Sequence, residues 1–314
     1  MAGVRGDATL ARLMYVHRID PIIGSVFGVH TWWYGLSYTL GFTEAFLYLR
    51  RRLPPRSLYN LCMLMFAGVL LGGRVVEVVF YEWPFYSAHP QLIPAVWLGG
   101  MATHGLLFGG LLGVWLFCLV EHRPFLVTTD MLAIPAAFIL GVGRIGNFID
   151  GQIVGSITSV PWAVKFPDAA GFRHPVVLYD GLKNLLIIPI LILVAKRKPR
   201  PGVLTGTFLF LYAFLRIFVD LFREYPTTLL GLATGQVLNI VLSIVGLVLL
   251  FVHVKPAVGA HGVRPPPAVW QRIVLVFLLI FPLIIPSDWT QDVPARYGKR
   301  HAGLVHTAMY PPIP

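Results

Sequence analysis

Long apolar runs alternate along the chain with short polar or Pro/Gly-punctuated breaks. Hydropathy read against charge predicts spans near 28–49, 58–80, 95–120, 128–147, 176–195, 203–222 and 235–254, and a shorter eighth at 270–286 that carries Pro282. Runs of roughly 18 to 25 residues are long enough, as helices, to cross a hydrocarbon layer of about 30 Å. The expected fold is all-α, a polytopic integral membrane helical bundle of seven core transmembrane helices plus an eighth. The first twenty residues hold Arg5, Asp7, Arg12, Arg18 and Asp20 and no apolar run of signal-peptide length, so the chain is expected to enter the membrane uncleaved.

Basic residues set the orientation. The connections after spans one, three, five and seven hold Arg50, Arg51, Arg52 and Arg56, then Arg123, then Lys196, Arg197, Lys198 and Arg200, then Lys255 and Arg264. The other connections hold only Lys165, Arg173 and Arg223. By the positive-inside rule the N-terminus is expected outside. The Pro-rich stretch 255–267 is the expected boundary between a seven-span membrane domain, 1–254, and an appended helix and tail, 255–314.

Composition agrees with this pattern. Of 314 residues 56% are hydrophobic and 12% charged, with mean hydropathy +0.73, where globular domains carry about 25% charged residues. That excludes a single soluble domain. The net charge of +11 is accounted for by topology and by attraction to anionic lipid, so nucleic acid is not an expected partner. Cys62 and Cys118 both fall inside spans, which argues against a disulfide framework or a redox motif.

Four basic residues sit at membrane depth: Arg74, Arg144, Lys183 and Arg216. Each must face the bundle interior or a wet cavity. Arg74 with Glu77, Lys183 with Asp180 and Arg216 with Asp220 are helix neighbours, so internal pairing and an external anion both account for them. Arg144 has no acidic residue three or four positions away and most needs an anion from elsewhere. The segment Gly141–Gly146 formally matches G-x-G-x-x-G, but it ends a span instead of linking a strand to a helix, so a dinucleotide turn is rejected. Its glycines, like Gly105, Gly109, Gly110 and Gly113, suit close helix packing. His104, in the outer half of its span, is either a packed histidine or a proton-transfer group beside Arg144 and Arg216. Metalloprotease, P-loop and serine-hydrolase motifs are absent from the sequence.

The longest motif is Gly143-Arg144-Ile145-Gly146-Asn147-Phe148-Ile149, continuing through Gly151 to Gly155. Around it, in chain order, stand Trp33-Tyr34-Gly35, Gly72-Gly73-Arg74, Gly99-Gly100-Met101 with His104-Gly105, Arg173-His174-Pro175 with Leu178-Tyr179, Tyr212 with Arg216, Phe222-Arg223 and Gly235-Gln236. In this the chain resembles the prolipoprotein diacylglyceryl transferases, the bacterial lipoprotein maturation enzymes. Such a resemblance implies transfer of an sn-1,2-diacylglyceryl group from phosphatidylglycerol to the thiol of the lipobox cysteine in a prolipoprotein signal peptide. A thioether forms and glycerol phosphate leaves. It implies a bacterial inner-membrane enzyme with its active site toward the outer leaflet, needing no cofactor and no metal, since the nucleophile belongs to the substrate.

By resemblance His104, Arg144 and Arg216 are the expected catalytic residues, with the guanidiniums on the phosphate and His104 as base. Tyr34, Arg74, Asn147, Gly151, Gly155 and Tyr212 are the expected substrate-binding residues. The chain departs from the family pattern at Gln152, Val177 and Asp180, where the family commonly has Glu, Gln and Glu, and at Leu106 and Glu77. Two other readings remain open at this point: a diverged paralogue that binds phospholipid or lipoprotein without turnover, and a membrane transporter of anionic head groups.

Overall fold

The computed structural model describes residues 15–151, 153–167, 169–223, 234–252, 266–286, 289 and 310. Arg5, Asp7, Arg12, Gln152, and the stretch 253–265 with Lys255 and Arg264 lie outside the described residues.

The chain enters through two small β elements that hydropathy alone does not reveal. Strand β1 (Tyr15–Val16) pairs in parallel with β4 (Val164–Lys165) of the loop ahead of the fifth span. Strands β2 (Ile22–Val26) and β3 (Val29–Trp32) form an antiparallel hairpin. Its turn residues Phe27 and Gly28 both have positive φ, 50° and 78°, as a two-residue hairpin turn of matching twist requires. The expected first span is thus a strand until Trp32, and helix α1 runs over Trp33–Leu49, about 25 Å at helical rise.

Helix α2 (Pro55–Val76) opens on a proline, whose missing N–H costs nothing at a helix start, and ends in a π-helical turn, Glu77–Tyr81. After the short α3 (Trp83–Ala88), residues 89–102 form two 3₁₀ turns, Pro90–Leu92 and Val96–Leu98, and reach Gly99 and Gly100 at φ of 98° and 69°. The expected third span at 95–120 therefore becomes helical only in α4 (Thr103–Val120). Two prolines and the positive-φ glycines exclude helix from the segment before it. The remaining helices follow the hydropathy closely: α5 (Phe125–Ile149), α6 (Val176–Lys196), α7 (Val203–Asp220), α8 (Thr234–Phe251) and α9 (Val269–Ile280), the last continued by a 3₁₀ turn, Phe281–Ile284.

Among the described residues five helices are long and apolar enough to cross a membrane: Pro55–Tyr81, Thr103–Val120, Phe125–Ile149, Val176–Lys196 and Val203–Asp220. Gly235–Phe251 and Val269–Ile284 are shorter apolar helices. The outward faces are strongly apolar: Leu107, Phe108, Leu111 and Leu112 on α4 and Leu182, Leu186 and Leu193 on α6 are all exposed. In water such a surface would drive association; against lipid tails it is the expected solvent-facing side. The chain is a polytopic helical membrane bundle.

Small residues bring the helices close. The backbones of α2 and α4 meet where Gly68 and Gly72 face Gly109 and Gly105, and a Cβ at any of the four would strike a carbonyl oxygen opposite. The small-residue spacing in the third span is thus a packing seam. Gly109→Val is expected to destabilise the bundle by about 1–3 kcal/mol or more, the usual cost of overpacking. A detergent-unfolding midpoint equal to wild type would show that the two helices do not rely on this approach.

Helix α7 is fixed to α5 at its N-terminus. Asp130 accepts from Gly202 N and from Thr205 N, both at 2.8 Å, and from Thr205 Oγ1 at 2.6 Å. A carboxylate there satisfies orphan N–H groups and opposes the positive end of the helix dipole. Helix α9 rejoins the bundle against α2 and α1. Gln271 Nε2 donates to Asn60 Oδ1 at 3.0 Å, and Asn60 Nδ2 donates at 2.8 Å to the buried Glu121, which also accepts from Ser57 Oγ at 2.6 Å.

Candidate active site

Three helices deliver charge to one buried point. Arg144 comes from the last turns of α5, Asp180 and Lys183 from the first turns of α6, and Arg216 and Asp220 from the last turns of α7. Asp180, 1% exposed, is the hub. Its Oδ2 lies 2.7 Å from Arg144 Nε and also contacts Arg216 Nη1, while Oδ1 lies 3.0 Å from Lys183 Nζ. Arg216 Nε reaches Asp220 Oδ1 at 3.0 Å, with Arg223 Nη1 at 3.9 Å from the same oxygen and Asn239 Nδ2 of α8 at 3.3 Å from Oδ2. The helix-neighbour pairings of Lys183 and Arg216 are present as expected. Arg144 differs: its anion comes from another helix, thirty-six positions on, which sequence spacing does not reveal.

In this cluster, among the described residues, Arg144, Lys183, Arg216 and Arg223 share two carboxylates, Asp180 and Asp220. An excess of cations at membrane depth invites an anion. Arg144 is the most accessible of the inner set, with 22% of its side chain exposed against 11% for Arg216 and 6% for Lys183.

Glycines let this charge sit where it does. A side chain on Gly181 would press on the Arg144 Cβ, and one on Gly143 would meet the Tyr38 ring. One on Gly146 would meet Ser37 Oγ and Tyr34. Tyr34 Oη donates to Tyr38 Oη at 3.3 Å, and both tyrosines, with Tyr212, lie within electrostatic reach of Arg144. Lys183 Nζ lies 4.0 Å above the Tyr212 ring and donates to its carbonyl at 3.1 Å. Asn147 is buried and accepts from Arg144 Nη1 at 3.3 Å through Oδ1.

The expected residues of the following loop have structural work there. Gly151, at φ 68°, caps α5 in the left-handed conformation, its N–H bonding Phe148 O at 3.0 Å. Gly155 passes so close to the carbonyls of His174 and Phe222 that no side chain fits. Its N–H bonds His174 O at 3.0 Å and its own carbonyl accepts from Arg173 Nη1 at 3.0 Å. His174 hydrogen-bonds Tyr179 Oη through Nδ1 at 3.0 Å, and burial pushes its imidazole below the usual histidine range. These contacts tie the loop to the ends of α6 and α7 beside the cluster.

Arg74 is held by main-chain carbonyls. Its guanidinium gives Nε to Ile93 O at 2.7 Å, Nη2 to Leu92 O at 2.6 Å, and Nη1 to Gly99 O at 2.9 Å and Gly100 O at 2.6 Å. Its charged face lies 4.8 Å from the Tyr86 ring centre. Four backbone carbonyls of the 89–102 segment take up its donors, and Glu77 lies within electrostatic reach. Arg74→Lys is expected to lower the thermal unfolding midpoint by several degrees, because one ammonium cannot span four carbonyls that far apart. An unchanged midpoint would mean that the segment holds itself.

His104 is exposed at the start of α4, and its Nδ1 lies 3.1 Å from Tyr81 Oη of the π turn. No hydrogen bond or ion pair joins it to Arg144 or Arg216 among the described residues. Tyr38 and Tyr81, and the hub role of Asp180, are what sequence reading missed. The first two are aromatic residues in apolar runs, without a local signal.

Fold and cluster define a multi-span helical membrane protein with a cation-rich site buried between three of its helices. Residues 21–252 match the family model described as prolipoprotein diacylglyceryl transferase, and the chain belongs to that family. It is similar to the phosphatidylglycerol–prolipoprotein diacylglyceryl transferase of Mannheimia succiniciproducens, 40% identical over 228 residues, covering 70% of this chain and 85% of that protein. It is 37% identical over 262 residues to the enzyme of that name from Aeromonas hydrophila, covering 79% of this chain and 95% of that protein. The enzyme of that name from Geobacter sulfurreducens is 35% identical over 260 residues, matched along its whole length.

Proposed function

We propose that this chain transfers the sn-1,2-diacylglyceryl group of phosphatidylglycerol to the thiol of the lipobox cysteine of a prolipoprotein. The observation that carries this reading is the cluster of Arg144, Lys183 and Arg216 around Asp180, in a chain of this family. The lipid phosphate takes up part of the positive excess, with Arg144 and Arg216 turning donors toward its oxygens. The thiolate attacks the glyceryl carbon that bears the phosphate ester. A C–S bond forms, the C–O bond breaks, and the electron pair leaves with glycerol phosphate, whose new charge the two guanidiniums stabilise.

The thiol proton goes to His104. An imidazole is the side chain suited to accept a thiol proton near neutral pH. The tautomer that donates Nδ1–H to Tyr81 Oη is the one that leaves the Nε2 lone pair to accept it. Tyr34, Asn147 and Tyr212 offer polar groups to the lipid's head. The site faces the outer leaflet of a bacterial inner membrane, where a secreted precursor presents its cysteine, as the basic connections at the other edge support.

The direct test incubates purified protein in detergent with phosphatidylglycerol and a lipobox peptide. The peptide mass is expected to rise by one diacylglyceryl group, and a Cys→Ala peptide to stay unmodified. Absence of the adduct where a related enzyme forms it would contradict the reading.

A further inference from the structure

Below the charged cluster, α1, α2, α5 and α9 enclose a partly open cavity of about 180 Å³. Its walls include Phe42 on α1, Met65 and Phe66 on α2, Ile139 on α5 and Leu275 and Leu278 on α9, and the sulfurs of Cys62 and Met65 are the only side-chain heteroatoms among the residues that line it. Such a space gives water no partners, and left empty it deprives its lining of contacts on one side.

Its place relative to the site is set by two helices. On α5, Ile139 lies five residues before Arg144 and Leu132 twelve, so the cavity spans depths of about 8 to 18 Å from Arg144 along the axis. On α1, Tyr34, Tyr38 and Phe42 stack at successive i,i+4 positions, with ring centres 4.9 and 6.1 Å apart. This strip runs from the tyrosines beside Arg144 to the cavity wall. We propose that the cavity receives the distal part of one acyl chain of the phospholipid donor held at Arg144 and Arg216, and that α9 sets the chain length accepted.

The proposal rests on the transferase reading and names the substrate class for that same site. A dry cavity of about 150 Å³ takes a benzene molecule, so this one takes a run of roughly six to eight methylenes. A helical signal peptide is about 10–12 Å across with its side chains and does not fit. Leu275, Leu278 and Leu279, which form the α9 wall, lie beyond residues 21–252 matched by the family model. Chain-length selection is therefore a property of this chain's C-terminal segment.

The test compares a series of phosphatidylglycerols differing only in acyl length, on the wild type and on Ala136→Phe, which places a ring in the cavity. The ratio of kcat/KM for long over short donors is expected to fall about tenfold, the discrimination that a methylene or two commands in an apolar pocket. In parallel, a donor with a photoreactive diazirine at the acyl terminus is expected to label wild-type peptides containing Phe42, Met65 or Leu275. Should Ala136→Phe fail to fold, the labelling decides alone. Transfer with labels mapping elsewhere, or an unchanged ratio in a folded variant, overturns the proposal and leaves the transferase reading intact. A profile that follows the apolar length of the precursor peptide assigns the cavity to the peptide and overturns it as well. No transfer from any donor contradicts the transferase reading, and the proposal falls with it.

Discussion

Arg144→Ala lowers kcat for diacylglyceryl transfer by about 100-fold or more, the loss that follows removal of one donor to a developing oxyanion. The protein still inserts and folds, because Asp180 keeps Lys183 and Arg216 as partners. Arg144 is the inner cation with the most exposed side chain, so its donors are the best placed to exchange a carboxylate for a phosphate. Arg144→Lys recovers only part of the rate, since an ammonium keeps the charge and loses the planar fork. The check is a rate assay on protein whose detergent-unfolding curve matches wild type. Near-normal turnover by Arg144→Ala would remove this residue from the phosphate.

Asp180→Ala acts on the fold. Removing the hub leaves Arg144 and Lys183 without their carboxylate and Arg216 with Asp220 alone, at a point where Asp180 is 1% exposed. Breaking a buried ion pair from one side costs about 3–5 kcal/mol, because the opposite charge stays behind without a partner. The midpoint of unfolding drops sharply or the protein fails to accumulate. Asp180→Glu keeps the charge and retains both fold and turnover. An Asp180→Ala protein as stable as wild type would show that solvent or lipid already compensates the three cations.

The two variants differ in kind. One removes a donor that the transferase reading turns toward substrate, while the other removes the anion that holds Arg144, Lys183 and Arg216 together. Val177, three residues before the hub on α6, is 2% exposed. There an apolar side chain fits without leaving a buried amide to satisfy.

Helix positions were largely legible in the sequence, since lipid-facing residues must be apolar whatever the tertiary contacts. The failures fall where local chemistry overrides hydropathy. Residues 28–32 are apolar enough to extend a span, yet a positive-φ turn at Phe27-Gly28 commits them to a hairpin. Residues 95–102 lie in an apolar run, yet the positive-φ Gly99 and Gly100, whose carbonyls the Arg74 guanidinium holds, keep them out of the helix. At the site, pairs within one helix could be read from spacing: Lys183 with Asp180, Arg216 with Asp220. The contact of Arg144 with Asp180 could not, because it depends on how α5 meets α6. Arg74 shows the converse, where a buried cation with an acidic helix neighbour spends its donors on distant backbone.

The most direct measurement follows both products in one reaction of wild-type protein with phosphatidylglycerol and a lipobox peptide. Peptide mass gives the diacylglyceryl adduct and phosphorus NMR the released glycerol phosphate. The two are expected to accumulate one for one, with neither appearing for Arg144→Ala on the same timescale. Glycerol phosphate without adduct, adduct without glycerol phosphate, or neither from the wild type would contradict the transferase reading.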